Sequence, residues 1–165
     1  MPPKKKKVAP IPKGYKVLTP YLAIRGGAQA LDWYKKAFGA KERMRMPGPD
    51  GRIGHAELQF GDSVLMLADE FPGMNVSPAT LNGTTCSLLL YVKDVDAAYK
   101  KAVDAGASAK AAPENKFYGD RMAVIADPFG HVWCLATHVE DVSPKEMAKR
   151  AADMAKKMAE KPPQT

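Results

Sequence analysis

Ala30-Leu31-Asp32-Trp33-Tyr34-Lys35-Lys36-Ala37-Phe38 and, 65 residues later, Val95-Asp96-Ala97-Ala98-Tyr99-Lys100-Lys101-Ala102-Val103 carry the same helix face. In the first, Ala30, Trp33, Tyr34, Ala37 and Phe38 recur at i, i+3, i+4, i+7 and i+8. In the second, Val95, Ala98, Tyr99, Ala102 and Val103 recur at the same offsets, and both contain Tyr-Lys-Lys-Ala. Such spacing lays one apolar stripe along an α-helix. A strand-like segment precedes each helix and strand-like segments follow each. The chain therefore reads as α+β, with one βαβββ unit used twice and a small-ligand cleft expected between two similar sheets.

Working outward, Val17 to Ile24 reads as a first strand, and the first helix, from about Ala28, stops at Gly39. Lys41 to Met46 is a second strand, and Pro47-Gly48-Pro49-Asp50-Gly51 is turn chemistry. Ile53 to Phe60 alternates: Ala56, Leu58 and Phe60 point one way and His55, Glu57 and Gln59 the other. Ser63 to Ala68 is a further strand, and Phe71 to Gly83 reads as a long loop. In the second module Thr85 to Val92 is a strand, and Asp94 caps a helix that ends at Gly106. Ser108 to Ala112, Arg121 to Ala126 and His131 to Thr137 read as its remaining strands. Ser143-Pro144-Lys145-Glu146 combines a capping box with proline at the first helical position, so an extra helix follows with Met147, Ala151, Met154 and Met158 on one side.

The net charge of +7 belongs to the ends. Residues 1–16 carry six lysines and no acid, whereas residues 17–140 carry 13 bases and 14 acids. Residues 1–14 hold four prolines and little to bury, and read as a disordered arm. A lysine arm touches nucleic acid only weakly. No apolar run reaches spanning length, so a membrane role is not expected. Met1-Pro2-Pro3 followed by Lys4 to Lys7 lacks the apolar core of a secretory signal. Cys86 and Cys134 fall in strand-like segments and read as buried, reduced thiols of a cytoplasmic protein.

Several spaced motifs resemble the vicinal oxygen chelate superfamily, the glyoxalase/bleomycin resistance protein/dioxygenase fold. Asp127-Pro128-Phe129-Gly130-His131-Val132-Trp133 is similar to the Asp-Pro-x-Gly turn before the last strand of such modules. Leu31 to Gly39 resembles the first helix of the family, and Val92-Lys93-Asp94-Val95-Asp96 the entry to the second. His55-Ala56-Glu57-Leu58, Asp69-Glu70 and Tyr118-Gly119-Asp120-Arg121 resemble the small PhnB-like group within it. The resemblance covers roughly Val17 to Val142. It implies a domain over residues 15–142, with modules at about 15–70 and 84–140; the helix and tail read over 143–165 lie outside it. It also implies a homodimer.

Glyoxalase-type members of this family hold a divalent metal through one residue from each of four strands. The resemblance places those positions at Thr19, Met66, Ser87 and Cys134. Zinc, nickel or manganese want imidazole, carboxylate or thiolate ligands, so the expectation is no metal and no cofactor. Thioether, hydroxyl and thiol side chains suit an organic ligand better. Tyr118 and Trp133 are candidate flat surfaces for it, with core filling as the other reading of Trp133. Arg121 is a candidate partner for an anionic ligand, or for Asp120 or Glu57 in a structural ion pair. His55 and Glu57, two apart on one strand face, are the candidate acid/base pair or a relocated metal site of a glyoxalase- or dioxygenase-type enzyme. His131 reads as closing the Gly130 turn, and His138 as a surface residue. The leading expectation is a binding protein that sequesters a small, partly aromatic or amphipathic molecule. The alternative is that enzyme.

Overall fold

The computed structural model describes residues 8–159. The Lys4–Lys7 run and the last six residues, 160–165, lie outside the described residues. The chain divides into two units, one ending at Gly83 and the other beginning at Thr84.

The first unit contains β1 (Tyr21–Ile24), α1 (Gly27–Phe38), β2 (Lys41–Pro47), β3 (Ile53–Phe60), β4 (Ser63–Asp69) and a short α2 (Pro78–Leu81). Its sheet runs β1-β4-β3-β2. β1 and β4 pair in parallel, with Tyr21 opposite Met66, and the other neighbours are antiparallel. Of the predicted helix stripe, Ala30, Trp33, Tyr34 and Ala37 are at or below 8% exposure and Phe38 is half-buried; Leu31, outside the stripe, is buried as well. They meet Ala56, Leu58 and Leu67 on the sheet, which are fully buried. Tyr34 and Phe38 stand 6.4 and 6.2 Å from the Phe60 ring, and Trp33 packs edge-on against both at 5.3 and 5.2 Å. Each large side chain buried here contributes roughly 1.5–3 kcal/mol.

The second unit repeats the order: β5 (Ser87–Tyr91), α3 (Val95–Asp104), β6 (Ser108–Asn115), β7 (Asp120–Ala126), β8 (Val132–His138), then α4 (Pro144–Ala159). Its sheet runs β5-β8-β7-β6, with β5 parallel to β8. Val95 and Ala102 of α3 are buried over Ala123, Ile125, Trp133 and Leu135. The α+β reading, the two βαβββ modules and the additional C-terminal helix all hold.

Four details differ from the sequence reading. β1 begins at Tyr21, so Thr19 precedes the strand. The loop after β4 contains α2, which starts with Ser77 accepting from the Thr80 amide and Pro78 at its first turn. β6 continues to Asn115, and a register shift between Ala111 and Glu114 accommodates Pro113, which has no amide to pair. Cys86 is exposed and lies just before β5, where the sequence suggested a buried strand thiol, while Cys134 is half-buried.

α4 leans on its own unit through Arg150. This guanidinium bonds the Glu140 carboxylate at 2.7 and 2.8 Å and Glu146 at 2.9 Å. Met147 and Ala151 are half-buried, but Met154 and Met158 remain exposed. Gly119 (φ 100°) fits close against this segment, because its carbonyl accepts from the Val139 and Glu140 amides and any Cβ there would collide with the Glu140 carbonyl.

Candidate functional site

The alternation of β3 puts His55 and Glu57 on the sheet face away from α1, as the sequence predicts. A row of side chains crosses that face through all four strands: Tyr21 on β1, Met66 on β4, Glu57 on β3 and Met44 on β2. Glu57 is only 4% exposed. Buried carboxylates need partners, and Glu57 has three. The Tyr15 hydroxyl donates to Oε1 at 2.6 Å, Arg43 Nη1 lies 3.3 Å from Oε2, and His55 Nε2 lies 3.4 Å from Oε1. The Tyr21 hydroxyl is 2.8 Å from His55 Nδ1, so both nitrogens of the imidazole are engaged. The Arg43 guanidinium also sits over the Tyr15 ring at 4.7 Å, a cation–π arrangement.

Burial alone would push the Glu57 carboxyl up. The hydrogen bonds from Tyr15 and His55 and the charge of Arg43 outweigh it and hold the group below the ordinary carboxylate range. The same bond to Glu57 raises the Tyr15 phenol, and burial raises Tyr21. At neutral pH Glu57 is therefore a carboxylate that organises its neighbours. Thr19 and Met66 line an open cavity of about 440 Å³ together with Ile11, Pro12, Tyr15, Lys16 and Val17.

Tyr15 and Arg43 escaped the sequence reading. Tyr15 lies outside any regular element. Arg43 sits at a register shift between Glu42 and Met44, where a bulge re-aims a side chain in a way strict alternation does not predict.

In the second unit the face away from α3 carries the row Leu89, Cys134, Val124 and Ala111. Ser87 lies on the same face one pleat along, and Cys134 is half-buried. Polar chemistry gathers at one end. Tyr91 donates to Asp120 Oδ2 at 2.8 Å, and His138 bridges Asp120 at 2.7 Å and Asp141 at 3.0 Å. The hydrogen bonds to Asp120 and then Asp141 raise the His138 imidazole above its usual value. His138 is thus a surface residue with two carboxylate partners.

The other candidates go elsewhere. Trp133 is 3% exposed, on the α3 side of the sheet, and its indole N–H donates to Asp127 Oδ2 at 2.9 Å. Arg121 clamps Asp96 of α3 with two bonds of 2.7 Å and reaches Asn115 at 3.0 Å. Its ion-pair partner is therefore Asp96, in place of the Asp120 or Glu57 suggested by the sequence. Tyr118 stacks edge-on with Phe117 and points its hydroxyl at the Met122 sulfur, 3.5 Å away. The amide of His131 donates to Asp127 Oδ1 at 2.9 Å and its carbonyl accepts from the Asp127 amide, which closes the turn.

Residues 20–135 match the model of the Glyoxalase/Bleomycin resistance protein/Dioxygenase superfamily. The chain belongs to this superfamily. An uncharacterized Mycobacterium tuberculosis protein of the same length class is 42% identical over 134 residues, 79% of each chain. Two solved structures are similar to the chain. TioX from Micromonospora sp. ML1 is 29% identical with a TM-score of 0.61, covering 75% of this chain and 99% of its own. TnmS3, an antibiotic binding protein from Streptomyces sp. CB03234, is 28% identical with a TM-score of 0.58, covering 74% and 95%.

The metal of glyoxalase-type superfamily members does not fit the residues present. Of the four positions mapped from the resemblance, Thr19 gives its hydroxyl to the Lys16 carbonyl, Met66 is a thioether and Ser87 a hydroxyl, which leaves Cys134 as the one thiol. Among the described residues, no three His, Cys, Asp or Glu side chains come together as a divalent cation requires. No helix among the described residues is long and apolar enough to cross a membrane.

Proposed function

We propose that this protein binds a small, partly aromatic or amphipathic organic molecule and sequesters it without a divalent metal. In the first unit the contact surface is the sheet face of His55, Glu57 and Met66, with Thr19 beside it; Ser87 and Cys134 lie on the corresponding face of the second unit. One observation carries this reading. The first face offers an open cavity of about 440 Å³ beside Thr19 and Met66, lined by Ile11, Pro12, Val17 and the Tyr15 ring with Lys16 as its one charge, a mainly apolar lining with few polar groups, as organic-ligand sites have. The likeness to the antibiotic binding protein TnmS3 supports it. On this proposal the chain is a PhnB-like member, a reading supported by the motifs around His55 and Tyr118, and it acts as a cytoplasmic homodimer.

The test is thermal unfolding against a panel of aromatic antibiotics and metabolites. A ligand at 100 times its Kd stabilises by about 2.7 kcal/mol, which raises Tm by several degrees. Met66→Trp, which fills the cavity, abolishes the shift. If no compound in a broad panel moves Tm, the reading fails.

A second reading rests on the Tyr21–His55–Glu57 chain, which resembles a base held by an orienting carboxylate. In an enzyme of the glyoxalase or dioxygenase type, His55→Ala and Glu57→Ala each abolish turnover. Unchanged turnover in both variants eliminates it.

A further inference from the structure

A second cavity, of about 650 Å³, lies in the first unit at the carboxyl ends of the parallel pair β1 and β4: its walls come from the start of α1, the Asp50–Arg52 turn and the loop after β4. That volume is in the range of small-molecule sites. Its charges differ in how far they are already committed. Asp69 is spent on the fold, accepting from the Gly26, Gly27 and Ile53 amides at 2.9, 2.8 and 2.6 Å. Asp69 thus takes up the Gly26 and Gly27 amides at the start of α1. Arg25 is held by Glu70 at 2.8 Å and by Thr80. Glu70 in turn accepts from Thr80 and from the Ser77 amide, and these bonds with Arg25 hold its pKa at about 2.

Arg52 is different. Its guanidinium lies over the Phe71 ring at 4.6 Å, and its carboxylate partner Asp50 is 3.7 Å away with a side chain 86% exposed. So loose and solvated a pair holds weakly. Of the wall's two bases and three acids, Arg52 is therefore the least tightly held: a flat cation pre-oriented on an aromatic ring, with a partner that is itself solvated. Beside it stand the apolar side chains of Ala28, Pro72 and Val76. A guanidinium in this posture grips a carboxylate through two parallel N–H donors, while a flat ring meets the apolar wall at little conformational cost.

We propose that this cavity binds a small aromatic carboxylate, with Arg52 taking the carboxylate and Ala28, Phe71, Pro72 and Val76 taking the ring. The site is separate from the sheet face proposed above.

The experiment is a titration of the ¹⁵N-labelled full chain with 2-naphthoate, with 2-naphthamide as the uncharged control. Saturable shifts at the Gly26, Gly51, Phe71 and Asn75 amides are expected at about millimolar ligand or below. Arg52→Ala weakens binding about tenfold or more, the loss of a charge-assisted pair, and the amide binds correspondingly poorly. Arg52 is 40% exposed, so this variant keeps the fold. Val76→Trp, which fills the cavity, gives the same loss by another route. Equal binding of the amide, or binding that survives Arg52→Ala, overturns the proposal. So do shifts confined to His55, Glu57 and Met66, which would instead place the compound on the sheet face. Loss of sheet-face binding, in contrast, leaves this cavity untouched.

Discussion

The two repeated helices start from one sequence face and are secured by opposite means. α3 is capped locally: Asp94 accepts from the Ala97 amide at 3.0 Å, three residues on. α1 begins at Gly26 (φ 90°) with no side-chain cap of its own. Its first amides are met from across the sheet by Asp69 at the end of β4. The packing follows the same division. The α1 stripe is aromatic and sealed, while that of α3 is half-buried apart from Val95 and Ala102. A duplicated pattern therefore guarantees the fold of each copy but not what holds it, and the first module has become the more interdependent of the two.

The largest expected effect tests that dependence directly. Asp69→Ala strips partners from three amides at a site 6% exposed, which costs about 3 kcal/mol or more. Asp94→Ala removes one exposed cap and costs about 1 kcal/mol. Urea unfolding measures both. Equal losses would break the comparison.

Next comes a difference in pH response. Glu57 has a folded pKa below its ordinary value of 4.5, so its stabilising contribution is present above 4.5 and is lost as pH falls through the folded value. Asp120 in the second module behaves likewise below 3.8. His138 has a folded pKa above 6.5, so its contribution is complete below 6.5 and is lost as pH rises through the folded value. The Tyr15–Glu57 contact should therefore loosen in acid, and at the alkaline end only once Tyr15 itself ionises, above its ordinary value. The Tyr91–Asp120–His138 cluster should loosen in acid and again as pH rises through the raised His138 value. NMR titration of Tyr15 and His138 separates these courses, and an alkaline transition at Tyr15 below its own titration would contradict them.

Tyr15→Phe sharpens the comparison further. Without its strongest hydrogen bond, Glu57 should titrate closer to its ordinary value while Asp120 stays unmoved. Carboxyl ¹³C shifts report both. The smallest effect belongs to Arg121→Ala. Its pair with Asp96 is largely solvated, so the melting temperature should barely change, and less so at high salt.

The same contrast explains what could be read in advance. Ile53–Phe60 was legible to the residue because alternation is a local signal and a slip of one would invert every side chain. The ends of α1 and α3 were legible from Gly39 and Gly106. The short α2 shares its Ser-Pro opening with α4 but is too brief to show a periodic stripe. Thr19, Met66, Ser87 and Cys134 follow from aligning the modules, whereas the setting of Glu57 does not. Tyr15 comes from 42 residues away and Arg43 from a bulge, and neither leaves a mark in the neighbouring sequence. Cys86 sits among strand-forming residues, yet β5 opens only at Ser87, since a strand end depends on where its partner β8 begins.

In each module the strand made first lies beside the strand made last, Tyr21 against Met66 and Leu89 against Cys134. β1 consequently has no neighbour to pair with until β4 has been synthesised. The first module can finish on the ribosome as soon as Asp69 and its loop have emerged, well before the second is translated. The second must wait for His138, close to the start of α4. During elongation, then, the chain passes through a stage with one completed module and one open sheet, and the exposed edge of that unfinished sheet is where chaperones would be needed most.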